Sequence, residues 1–83
     1  GLPALARAEK VLGRAYGVSA EIAVDESEPP LEDEAELGHR LLSLVAAGRA
    51  QGLDAERALR AAVRDLESRI RAAESAAART VVD

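Results

Sequence analysis

Apolar residues recur along this chain three or four positions apart in three separate runs, the spacing that places them on one face of a helix. The first run holds Leu5, Ala8, Leu12, Ala15 and Tyr16. Pro3 suits its first turn and Gly17 suits its stop, which predicts a helix over 3–16. The second holds Leu37, Leu41, Leu44, Val45 and Gly48, with Gly52 after it, and predicts a helix over 31–51. The third holds Leu59, Val63, Leu66, Ile70, Ala73 and Ala77, spaced 4, 3, 4, 3 and 4. That is an a/d seam of nearly three heptads. Asp54 is its N-cap and Leu53 can staple against Ala58, so the helix is predicted over 54–79, with Thr80–Asp83 fraying.

The interval 17–30 breaks the pattern. Ser19–Val24 reads as one helical turn or a short extended piece. Asp25–Pro30 reads as a linker, because Pro29 and Pro30 forbid helix and favour extended backbone. The chain is therefore all-α: three helices in a single domain, 1–83.

Length and composition turn this into an expectation about assembly. A chain of 83 residues buries only about 60% of its unfolded surface. It has twenty Leu, Val and Ile residues against nineteen Ala, and Tyr16 is its only aromatic. Alanine buries little area, so paired helices from two copies are the natural way to complete the bundle. Tyr16 is read as a residue at the core edge with its hydroxyl in water.

Charge is uneven. Seven of the fifteen acids lie between Asp25 and Glu36, where there is no base. Acids at the head of the 31–51 helix favour its dipole. Glu36–Arg40, Asp65–Arg69 and Glu67–Arg71 are i,i+4 pairs in the favourable orientation. Arg60 and Arg64, one turn apart, ask for acidic neighbours, and the acidic head of the second helix is a candidate on this chain or another. Without a basic stripe or stacking aromatics, nucleic acid is not expected as a partner. No apolar run approaches eighteen residues, so the expectation is a cytoplasmic protein without membrane contact. The absence of cysteine excludes disulfides and thiolate chemistry. One histidine is too few for a nucleophile triad, and the singly scattered glycines make no phosphate-cradling loop.

Three segments carry a resemblance. Glu36-Leu37-Gly38-His39, after an acidic lead-in and before a leucine-rich helix, is similar to the third-helix Glu-Leu-Gly-Asp pattern of MazG-type nucleoside triphosphate pyrophosphohydrolases. Gly1–Leu12, with its Leu-Pro-Ala-Leu, resembles the opening helix of the C-terminal MazG domain. Gly52–Arg60 resembles the start of its last helix. The resemblance spans most of residues 1–74. It implies an all-α fold and ancestry in a Mg²⁺-dependent enzyme that cleaves nucleoside triphosphates to monophosphate and pyrophosphate, of which this would be the C-terminal domain; Gly1 rather than Met at the start suggests a fragment, a processed product or a tag remnant.

Two departures shape the functional expectation. The family's metal site pairs Glu-Glu-x-x-Glu on a second helix with Glu-x-x-Asp on the third. Here Glu36 is kept, His39 stands at the Asp position, and no Glu-x-x-Glu helix can be read between Gly17 and Pro30. Mg²⁺ takes oxygen ligands, so His39 suits it poorly. What remains of a metal site is Glu36, with Glu32 and His39 one turn to either side. The expected reading is a non-catalytic dimerising domain needing no cofactor. Its partners would be a second copy or the N-terminal domain of the same parent. An NTP pyrophosphohydrolase whose Mg²⁺ site is completed by a partner chain is the alternative from another class. An unrelated interaction module, marked by a hairpin of the second and third helices without the first, is the third.

Overall fold

The computed structural model describes residues 2–18 and 27–81. It consists of three helices, α1 (Ala4–Val18), α2 (Glu34–Ala50) and α3 (Ala55–Val81). Among the described residues there are no strands, and no helix is long and apolar enough to cross a membrane. The readings of Ser19–Val24 and of the Tyr16 and Ala77 side chains fall outside what is described.

Helix ends follow from local chemistry. The Pro3 carbonyl accepts the Arg7 N–H at 3.0 Å, closing the first turn of α1. The N–H of Ala4, in the first turn of α1, donates to Glu56 Oε2, also at 3.0 Å, so a residue of α3 caps α1. Gly17 does not stop this helix, which runs on to Val18; glycine tolerates helical backbone when nothing else ends the run. Asp33 is the N-cap of α2 and Asp54 that of α3, accepting the N–H groups of Glu36 (2.9 Å) and Arg57 (3.0 Å). α2 thus begins three residues later than the pattern suggested, because Leu31–Asp33 remain outside the helix behind the two prolines.

Gly52 ends α2 as expected. Its φ of +77° is the left-handed conformation, and it is the only positive φ among the described residues. The Leu53 N–H reaches back to the Gly48 carbonyl (2.8 Å) and the Gly52 N–H to that of Arg49 (3.1 Å). Together these make a Schellman motif, with Leu53 lying against Gly48.

The packed pair is α1 with α3, not the hairpin of α2 with α3 that would have marked an unrelated interaction module. Arg7 pairs with Glu67 and Arg14 with Glu74, so residue numbers rise together and the two helices run parallel. Between them lie Val11, Ala15, Val63, Leu66 and Ile70, with Ala8, Leu12, Leu59 and Ala73 packed against these. The heptad seam of α3 is consumed within the chain. Of the predicted stripe, Ala8, Leu12 and Ala15 face α3, joined by Val11 and with Ala4 buried nearby, while Leu5 is 54% exposed. Alanines at 4, 8 and 15 let the backbones approach, and Val11 and Leu12 fill what is left.

α2 is a different case. None of its residues is buried, it touches α3 only slightly, and among the described residues it does not pack on α1. The molecule is correspondingly drawn out, 52 × 29 × 21 Å with a radius of gyration of 15.5 Å. A compact chain of this length would have about 12 Å.

Candidate functional site

The head of α2 gathers the residues that the sequence singles out. Two of its four acids, Asp33 and Glu36, are held by a short network. Asp33 Oδ1 accepts the Glu36 N–H, and Glu36 Oε2 accepts the Glu32 N–H at 2.8 Å, a reciprocal cap shifted by one residue from the usual capping box. The other oxygen, Glu36 Oε1, accepts from Arg40 at 2.7 Å. The same guanidinium donates to the carbonyls of Pro29 and, at 2.9 Å, Pro30. Proline carbonyls next to a helix start have no helical N–H to meet. Arg40 supplies one donor to each and pins the extended segment to the second turn of α2.

The Glu32 N–H and then the Arg40 guanidinium hold the Glu36 carboxyl below its ordinary range. Asp54 is lowered likewise, first by the Arg57 N–H that it caps. Both groups are solvent-facing, and their role is local: each fixes a helix start.

Glu32, Glu36 and His39 do come together. They line one open depression with Glu28, Asp33, Arg40 and Ser43. They do not form a cage. Among the described residues no three His, Asp or Glu side chains group closely enough to hold a metal ion. A cation at Glu36 would also have to displace or share the carboxylate with Arg40, a positive charge already in place. These residues alone do not fit Mg²⁺.

A second surface has the opposite character. Leu41, Leu44, Val45 and Gly48 of α2 face Leu5 of α1 and Leu53, Ala58 and Leu59 at the start of α3, across an apolar groove of about 380 Å³. Leu37, Leu41, Leu44 and Val45 are the face predicted from periodicity, and they remain 42%, 36%, 70% and 46% exposed. Isolated apolar side chains on a surface are ordinary; a contiguous row of them along one helix is not.

Several contacts escaped the sequence reading. Glu67 was assigned to Arg71, but Arg7 takes it with a fork of two nitrogens at 2.8–3.1 Å, while Arg71 turns to Ser68. Among the described residues no Asp65–Arg69 pair forms. Arg60 meets Glu56 rather than the acidic head of α2. The signal was available: Arg7 and Arg14 are seven apart, as are Glu67 and Glu74, which is the register of two parallel helices. Comparison of the chain with protein-family models, with curated proteins and with solved structures returned no match.

Proposed function

We propose that this chain is a non-catalytic helical domain that works by dimerising, descended from the C-terminal half of a MazG-type nucleoside triphosphate pyrophosphohydrolase. The observation that carries the dimer is α2, a helix of 17 residues with no buried side chain. In folded proteins most of a helix's stability comes from packing its apolar face against something. Among the described residues nothing covers that face. The accessible surface, 6702 Å², is about 2,000 Å² above that of a compact monomer of this mass. Partners in obligate dimers each bury about 1,000–2,500 Å².

The ancestry rests on the three matching segments of sequence. The non-catalytic reading is supported by Glu36, whose two carboxylate oxygens serve the α2 cap and Arg40. α1 packed on α3 is the arrangement that speaks against an unrelated α2–α3 hairpin module.

Sedimentation at 10–100 µM tests the proposal, with a mass of two chains as the expected result. A folded, strictly monomeric species removes it. A second reading keeps the hydrolase, with Mg²⁺ held jointly by two chains. It is favoured by the convergence of Glu28, Glu32, Glu36 and His39 on one depression. Pyrophosphate release from nucleoside triphosphates with Mg²⁺, lost on Glu36→Ala, would establish it instead.

A further inference from the structure

We infer that the dimer forms by antiparallel packing of α2 on the α2 of a second copy, about a two-fold axis near Leu41; this rests on the dimerisation proposal and specifies its surface. The alternative surfaces are already spent. The α3 seam, which from sequence alone is the obvious dimer contact, is filled by Val11 and Ala15 of the same chain. The outer flanks of the α1–α3 pair carry the Arg7–Glu67 and Arg14–Glu74 bridges. What is left is the apolar face of α2 and the groove beside it.

The sequence of α2 is self-complementary in the antiparallel sense. With Leu41 on the axis, residues whose numbers sum to about 82 oppose each other. Leu37 then meets Val45, and Leu44 meets Gly38, where nothing lies within 4 Å of a notional Cβ and a leucine can seat. At the ends, Glu34 in the first turn comes beside Arg49 in the last. Among the described residues neither side chain makes a hydrogen bond or ion pair. A symmetric pair uses each contact twice, as an isologous interface requires. The opposed helix dipoles add to the preference for this direction. The partner helix, lying along α2, also covers Leu5, Leu53 and Leu59 across the groove.

Two sets of variants of the whole chain test this by sedimentation from 1 to 200 µM, with circular dichroism to check helicity. Leu44→Glu is expected to raise the dimer dissociation constant at least 100-fold, and Ser43→Glu, on the opposite side of α2, to change it less than threefold. Glu34→Arg and Arg49→Glu are each expected to weaken the dimer about five- to tenfold, and the double exchange to restore it to within threefold. A dimer indifferent to Leu44→Glu overturns the surface while leaving dimerisation standing. Failure of the double exchange to restore association overturns the antiparallel register, and that readout does not depend on Leu44→Glu folding. A wild-type chain that stays monomeric at 200 µM removes dimerisation itself, and this inference with it.

Discussion

Ile70 is the side chain on which the α1–α3 pair closes, and removing it gives the sharpest test of where the core lies. It is the largest fully buried residue, with none of its surface exposed, and it sits among Val11, Ala15, Val63 and Leu66. Ile70→Ala deletes three carbons. At about 0.8 kcal/mol for each buried methylene, the lost transfer term is about 2.4 kcal/mol. A residual void of ~50 Å³ adds about 1 kcal/mol at ~24 cal/mol per Å³. The expected loss is therefore about 3 kcal/mol. A domain of this size has roughly 4–12 kcal/mol in total, so the variant should fold, but with little margin. In urea, with a slope near 1 kcal/mol/M for so small a chain, the midpoint should fall by about 3 M. Circular dichroism at 222 nm, at one fixed protein concentration for both proteins, follows the transition. A loss below about 1 kcal/mol would refute the reasoning, because it would mean that Ile70 is not enclosed by α1.

Further outcomes follow from other positions. Gly52→Ala should cost about 1–2 kcal/mol, because φ +77° places a Cβ in the left-handed region; Gly13→Ala, mid-helix with open space around it, should stabilise by about 0.5–1 kcal/mol, and urea melts of both should move in opposite directions. Glu67→Gln should destabilise by about 0.5–1 kcal/mol, an effect that shrinks between 50 mM and 1 M salt, since Arg7 is nearly half exposed. Acid should loosen the heads of α2 and α3. Glu36 and Asp54 are depressed in the folded chain, so their contribution is complete above the ordinary carboxylate values of 4.5 and 3.8 and is lost as pH falls through the lower folded ones. Helicity should hold from pH 7 down to that range and decline below it, and Glu36→Gln should flatten the decline.

How far the sequence could be read depends on which interactions are local. The three helices, the Asp54 cap and the Gly52 stop are set by residues within a few positions of one another, and all were legible. Apolar spacing also named the right face of α3. It could not say what that face meets. A seam repeating every three or four residues is equally satisfied by a helix of the same chain and by a second copy, and the choice fell to α1, which lies more than forty residues away in sequence. On α1 the spacing picked out Ala8, Leu12 and Ala15 but misplaced one position: Leu5 outweighs Ala4 by hydropathy, but close approach to α3 favours the smaller side chain. At the head of α2, the Glu36–Arg40 spacing announced the ion pair. The carbonyls of Pro29 and Pro30, which complete the set of Arg40 partners, could not be seen because backbone acceptors leave no mark on a sequence.

That last set of partners has its own consequence. Arg40 serves three acceptors spread over two proline carbonyls and a carboxylate, and does so with one planar, forked group. Lysine would keep the charge but concentrate its donors on one nitrogen, which cannot span all three. The direction in which the chain arrives at α2 is thus determined by the shape of a guanidinium, and a substitution that looks conservative on paper would leave the two prolines untethered.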